Sequence, residues 1–249
     1  MNDTPDSSCL TPSRTMLNLS LIRAITLDLD DTLWPVWPAI HRAEDILHHW
    51  LLAHAPLTAA LYADPHQRRI LRTDTEAQWA DHAHDLSVLR RESIRLALQR
   101  AGENAALAEP AFEVFFDARM QVELFEDAIP LLQAMSERWP VVAVSNGNAD
   151  VNRVGIGQYF AASVSARDAG VGKPDPKIFH AACDVVGVQP SQVLHIGDDA
   201  ALDVLGALGV GMQTVWVNRE EHVWTYEQHP HMTVGSLQEL QDLLSGDGF

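Results

Sequence analysis

The chain has 249 residues, 47% of them hydrophobic, enough for one sizeable core or for a core domain and a smaller companion. Its formal net charge is −17, which disfavours nucleic-acid backbones and anionic membrane surfaces and points to a protein that acts on small molecules. The two cysteines, Cys9 and Cys183, form no CxxC pair and no zinc spacing, which excludes a disulfide framework and fits the reducing cytoplasm.

Residues 1–19 are polar and rich in Ser, Thr and Pro, and are expected to form a disordered tail. Asp3 and Asp6 stand where a signal peptide would carry positive charge, and Met16 is an alternative start. No apolar stretch is long enough to cross a bilayer. The apolar run from Ile25 continues into Asp28, Asp30 and Thr32 and reads as a buried strand ending in two carboxylates. Side chains two apart on a strand share a face, so Asp28 and Asp30 are expected together at the mouth of a parallel sheet. Clustered carboxylates repel unless a cation lies between them, and a hard ion such as Mg²⁺ prefers such oxygens.

Residues 35–122 carry helical periodicity and little strand character. Val36, Ile40, Ala43, Leu47, Trp50 and Leu51 form one stripe, and Leu86, Leu89, Ser93, Leu96 and Arg100 another. We read three to five helices here, an inserted helical cap between the first strand and the rest of an α/β core made of 20–34 and 123–249. A helix is expected over 127–138. Strands follow at 141–144, running into Ser145-Asn146-Gly147, and, more weakly, at 162–165. Asp175 and Pro176 mark a helix start just after Lys173. The run 193–196 leads into Gly197-Asp198-Asp199, a further strand covers 212–217, and the final helix lies near 236–244. Strands alternating with helices predict a Rossmann-like parallel sheet.

Asp28-x-Asp30-x-Thr32, Ser145, Lys173 and Gly197-Asp198, with Asp203 beyond, each stand at or after a predicted strand end. In this order they resemble the four motifs of the haloacid dehalogenase-like hydrolase superfamily, over about residues 20–220. The insert after the first motif is similar to that superfamily's helical first cap type, and the 27 residues between Ser145 and Lys173 are too few for the other. The strings around Asp28, Ser145 and Asp198 look most like a bacterial branch acting on FMN and on the ribitylamino-uracil phosphate of riboflavin biosynthesis.

The resemblance implies a Mg²⁺-dependent phosphatase of small phosphomonoesters. Asp28 would be the nucleophile and Asp30 the general acid and base. Thr32, Ser145, Asn146 and Lys173 would serve the phosphate, Thr32 also bracing its loop. Asp28, Asp198 and the Asp30 backbone carbonyl would hold the metal. Asp203 would orient Lys173 or a metal-bound water, and Asp199 is open between an accessory ligand and a helix-surface charge. A phosphomutase keeps the same motifs, a dehalogenase would need neither Asp30 nor Asp198, and a non-catalytic phosphate-binding regulatory module is the rival from another class. The insert's histidines, His48, His49, His82 and His84, read as solvated or structural, and His195 as packed within a strand. Trp34 and Trp37 read as hinge packing, with stacking on a flat substrate as the alternative. Cys183 reads as a buried small hydrophobe. Monomer and homodimer both fit the sequence.

Overall fold

The computed structural model describes residues 16–245. Six parallel strands form one sheet: β1 (Ala24–Leu27), β2 (Val141–Ser145), β3 (Ala162–Ser165), β4 (Val193–Gly197), β5 (Gln213–Val217) and β6 (Met232–Val234). Their order is β3-β2-β1-β4-β5-β6. The chain therefore leaves β1 to one side for β2 and β3 and crosses to the other for β4 to β6. That reversal makes β1 a topological switch point, where the carboxyl ends of neighbouring strands open a crevice.

Five helices form the insert after β1: α1 (Val36–His54), α2 (Pro56–Ala63), α3 (Pro65–Gln78), α4 (Leu86–Arg100) and α5 (Ala108–Arg119). The rest flank the sheet: α6 (Ala128–Ser136), the single turns α7 (Val151–Val154) and α8 (Ala166–Ala169), α9 (Pro176–Val186), α10 (Gly206–Gly209) and α11 (Leu237–Ser245). A π-helical turn, Ala200–Leu205, leads into α10.

The strands alternate side chains between two covered faces, so they are apolar on both. Ile25, Leu27, Val141, Ala143, Leu194 and Ile196 pack with α6 and α11. Ala24, Val142, Val144 and Val193 pack with Ile178, Phe179, Ala182 and Cys183 of α9. Residues of α1 to α5 and the turns between them surround a cluster of their own, from Ala43 through Leu47, Ile94 and Phe112 to Ala118. The two connections to this cap meet where Phe125 N donates to Leu33 O at 2.9 Å.

The structure corrects several expectations. β1 stops at Leu27, so Asp28 and Asp30 stand in the following loop. The buried face of α4 is Ser87, Ile94, Ala97 and Leu98, whereas Leu86 is 45% exposed. The short strand β6 extends the sheet beyond what the pattern showed. The expected tail falls mostly outside the described residues, but Leu17 is buried in the core and Asn18 N donates to Gln213 Oε1 at 2.6 Å, so the packed core begins before residue 20.

Candidate active site

Leu27 of β1 lies in register with Ala143 of β2 and Ile196 of β4. Asp28 and Asp198, just past β1 and β4, and Ser145, the last residue of β2, therefore meet at the carboxyl end of the sheet. Lys173 enters from the loop before α9, whose start is set by Asp175 accepting from Lys177 N and by Pro176 in the first turn.

Lys173 is buried and donates from Nζ to Asp28 Oδ1 and to Asp203 Oδ1, the latter at 2.6 Å. Burial alone would lower the lysine's pKa, but the charges of Asp203 and Asp28 outweigh it and hold it above its ordinary value. Burial would likewise raise Asp203, yet Lys173 and His195 bring it down to about 2. An ionised Asp203 can only accept, so His195 donates to it from Nε2 at 3.0 Å. The other ring nitrogen, Nδ1, then accepts from Thr26 Oγ1 at 2.8 Å. Gly197 makes room for this chain: a β-carbon there would lie 2.3 Å from Asp203 Cγ.

Asp28 is held well above the ordinary aspartate value by burial, which Lys173 offsets only in part and which Asp203 and Asp198 reinforce. Burial, then the charge of Asp203, pushes Asp198 up to about 7. One oxygen each from Asp28, Asp198 and Asp203 lie within 4.8 Å of one another. Three carboxylates thus face one lysine, a negative excess that a divalent cation would balance. The donor set is all oxygen, which suits Mg²⁺. Asp203 is already engaged by Lys173, His195 and Asp199 N, which leaves Asp28 and Asp198 as the carboxylates best placed to hold an ion.

Two expected phosphate contacts have other partners. Thr32 is fully buried and donates from its hydroxyl to Asp198 Oδ1 at 2.9 Å, with Asp28 Oδ2 at 3.5 Å. It braces the carboxylates. The Asn146 side chain clamps the Lys173 backbone, accepting from Lys173 N at 2.6 Å and donating to Lys173 O at 2.9 Å. Ser145 is buried, and its oxygen accepts from Gly147 N at 2.9 Å, leaving the hydroxyl proton to donate. Asp199 caps the π-helical turn, accepting at 2.8 Å from both Ala201 N and Leu202 N.

The structure separates Asp30 from the carboxylate cluster. Its carboxylate receives Trp34 Nε1 at 2.8 Å and Arg119 Nη2 at 2.5 and 2.8 Å. Trp34 is fully buried in the core cluster of the sheet, while Trp37 is 63% exposed, its ring centre 5.9 Å from that of His41. Arg119 escaped sequence reasoning: it is one arginine among many in the insert, 89 residues from Asp30. A cavity of about 250 Å³ opens between the insert and the core, with Gly147 in its lining. His84, Asp85 and Ser87 line it from the cap, and Gly147, Asn148 and Arg167 from the core. Gly147 links the cavity to Asp30, because a β-carbon there would lie 2.5 Å from Asp30 Oδ2.

The model of the haloacid dehalogenase-like hydrolase family matches residues 22–211. The chain is 31% identical to the 5-amino-6-(5-phospho-D-ribitylamino)uracil phosphatase YigB of Escherichia coli, covering 91% of this chain and 98% of that protein. It is 30% identical to a phosphoserine phosphatase of Thermus thermophilus, over 88% of this chain and 98% of the other. Among solved structures, a 2-haloacid dehalogenase from Pseudomonas syringae pv. Tomato superposes with a TM-score of 0.85 at 35% identity, covering 90% of this chain and 98% of that one.

Proposed function

The chain belongs to the haloacid dehalogenase-like hydrolase family, and on that premise we propose that it is a Mg²⁺-dependent phosphatase that hydrolyses a small phosphomonoester through an aspartyl-phosphate. The observation that carries this reading is the excess of carboxylate over cation at the strand ends, with Asp198 beside Asp28 and, among the described residues, Lys173 the only lysine or arginine paired with the cluster. Carbon–halogen cleavage by a carboxylate nucleophile calls for no such excess. The phosphatases among the relatives point the same way.

Asp28 Oδ2 has no donor nearer than Thr32 at 3.5 Å among the described residues, which leaves it free to attack phosphorus in line. Lys173 neutralises the nucleophile's other oxygen and holds positive charge against the transferring group. The Ser145 hydroxyl and the Asn146 backbone N–H donate to phosphoryl oxygens. Asp30 protonates the leaving oxygen, then takes a proton from the water that splits the aspartyl-phosphate. The Asp28 and Asp198 carboxylates and the Asp30 carbonyl would hold Mg²⁺. When bound, the ion supplies the charge that lets a carboxylate approach a phosphate.

The leaving alcohol is assigned to the cavity that Gly147 lines, where Ser87, Asn148, Ser163 and Arg167, together with Asp85, Asp150 and Asp168, offer hydrogen bonds to a hydroxyl-rich chain. A riboflavin-pathway phosphate, FMN or 5-amino-6-(5-phospho-D-ribitylamino)uracil, is the substrate proposed, supported by that lining and by the E. coli relative. The second reading, a dehalogenase, draws on the 2-haloacid dehalogenase structure. One panel decides between them: phosphate release from these esters, phosphoserine and simple sugar phosphates, and halide release from 2-haloacids, with and without Mg²⁺. Mg²⁺-dependent phosphate release that Asp28→Asn abolishes is the expected outcome. Halide release without phosphate release would replace the reading with the second.

A further inference from the structure

Both connections between cap and core converge on one carboxylate. Trp34, in the first connection, donates to Asp30 Oδ1. Arg119, the last residue of α5, reaches both Asp30 oxygens from the second connection. The arginine side chain is 2% exposed and that of Asp30 is 20% exposed.

The manner of the pairing is informative. A guanidinium matches a carboxylate best as a fork, one nitrogen to each oxygen. Here Nη2 alone serves both oxygens, and Nη1 is buried with no hydrogen-bond partner among the described residues. An unpartnered buried donor is costly. Packing for stability alone would favour the fork, so the contact selects an orientation of Asp30 over the strongest pair. Gly147 also leaves room for Asp30 Oδ2, which a β-carbon there would approach to 2.5 Å. The carboxylate is thus aimed by an indole, a guanidinium and a side-chain-free position, Gly147, which also borders Ser145 and lines the cap–core cavity.

We propose that Arg119 is the positioning residue of the general acid: the last helix of the cap, through Arg119, aims the Asp30 carboxylate at the leaving oxygen. The inference rests on the phosphatase reading. In the first step Asp28 Oδ2 forms a bond to phosphorus while the ester P–O bond breaks, and the leaving oxygen takes the proton of the Asp30 carboxyl. In the second, water attacks phosphorus, its proton passes to Asp30, and the Asp28–phosphorus bond breaks to release phosphate. Arg119 touches neither phosphorus nor the leaving oxygen and acts only through Asp30.

A leaving alkoxide needs that proton, whereas 4-nitrophenolate departs without it. Rapid-mixing measurements of leaving-group release from an alkyl phosphate and from 4-nitrophenyl phosphate, with Mg²⁺ and full-length protein, therefore separate positioning from general support. Arg119→Met should slow release from the alkyl ester by about 100-fold, the lower range for general acid catalysis, and from the nitrophenyl ester by no more than about threefold. Arg119→Lys should recover part of the alkyl rate. Trp34→Phe should show a smaller loss with the same leaving-group dependence. Equal losses on the two esters, or an unchanged alkyl rate, would overturn the inference. If Arg119→Met fails to fold by circular dichroism, Arg119→Lys and Trp34→Phe decide by the same comparison. A wild-type enzyme that cleaves neither ester refutes the phosphatase reading itself and this inference with it, an outcome distinct from cleavage with uniform losses.

Discussion

Asp198→Asn should stabilise the metal-free protein at alkaline pH and cost it its metal. Burial and the charge of Asp203 raise the Asp198 carboxyl from 3.8 to about 7, against a single hydroxyl donor, Thr32, at 2.9 Å. Between those two values the folded state binds a proton that the unfolded state has released. Stability therefore falls as pH rises through the window and is lowest above it. A gap of roughly three units, at about 1.4 kcal/mol each, amounts to about 4 kcal/mol. His195 and His231, held below 6.5 by burial, act in the opposite sense, because the folded state resists their protonation and stability rises toward pH 6.5. Both histidines are present in wild type and variant and cancel in the difference, which reports Asp198 together with the part of the Asp28 shift that its charge causes. Asparagine keeps an oxygen for Thr32 and removes the charge. In EDTA at pH 8, Asp198→Asn should melt about 10 °C above wild type, at 2–4 °C per kcal/mol for a chain of this size. The gap should close toward pH 4. Added Mg²⁺ should raise the wild-type melting temperature and leave that of the variant unchanged. A variant no more stable than wild type at pH 8, or a gap constant across pH, would refute the electrostatic account.

Gly197→Ala places a β-carbon 2.3 Å from Asp203 Cγ, so it should cost about 1–3 kcal/mol by overpacking and lower kcat by displacing the anchor of Lys173, as urea unfolding and steady-state rates would show. Asn146→Ala removes both hydrogen bonds to the Lys173 backbone. It should destabilise by about 1–3 kcal/mol and reduce kcat more than it changes KM, a split readable from saturation curves. Ile94→Ala, fully buried in the cap cluster, should cost about 2–5 kcal/mol, with hydrogen exchange accelerating in α1 to α5 before it does in the sheet.

Much of the molecule was legible in the sequence because the signals were local. A strand buried on both faces is a short apolar run, and a helix start is an Asp followed by Pro, so β1, β2, β4, β5 and the start of α9 follow from a few neighbouring residues each. Asp28, Ser145, Lys173 and Asp198 were legible because each stands at a strand end or just before a helix. The order of such positions along the chain, with the length of the insert, sufficed to name a family.

What stayed hidden was whatever depends on where distant segments meet. Asp28 and Asp30 are two residues apart, yet one pairs with Lys173 and the other with Arg119, since β1 ends before either and the loop turns them toward different neighbours. Thr32 and Asn146 belong to motifs that resemble phosphate-binding ones, but their side-chain hydrogen bonds go to Asp198 and to the Lys173 backbone, groups that only the sheet order brings beside them. The buried face of α4 is the one turned to the cluster shared with α1, α2, α3 and α5, which the leucine spacing alone did not show. The sequence by itself determined the layered core and the chemistry carried at the strand ends, because periodicity and capping act over a few residues. Only the tertiary structure decided which charges face one another, because buried carboxylates take their partners from whichever segments the fold delivers to the same end of the sheet.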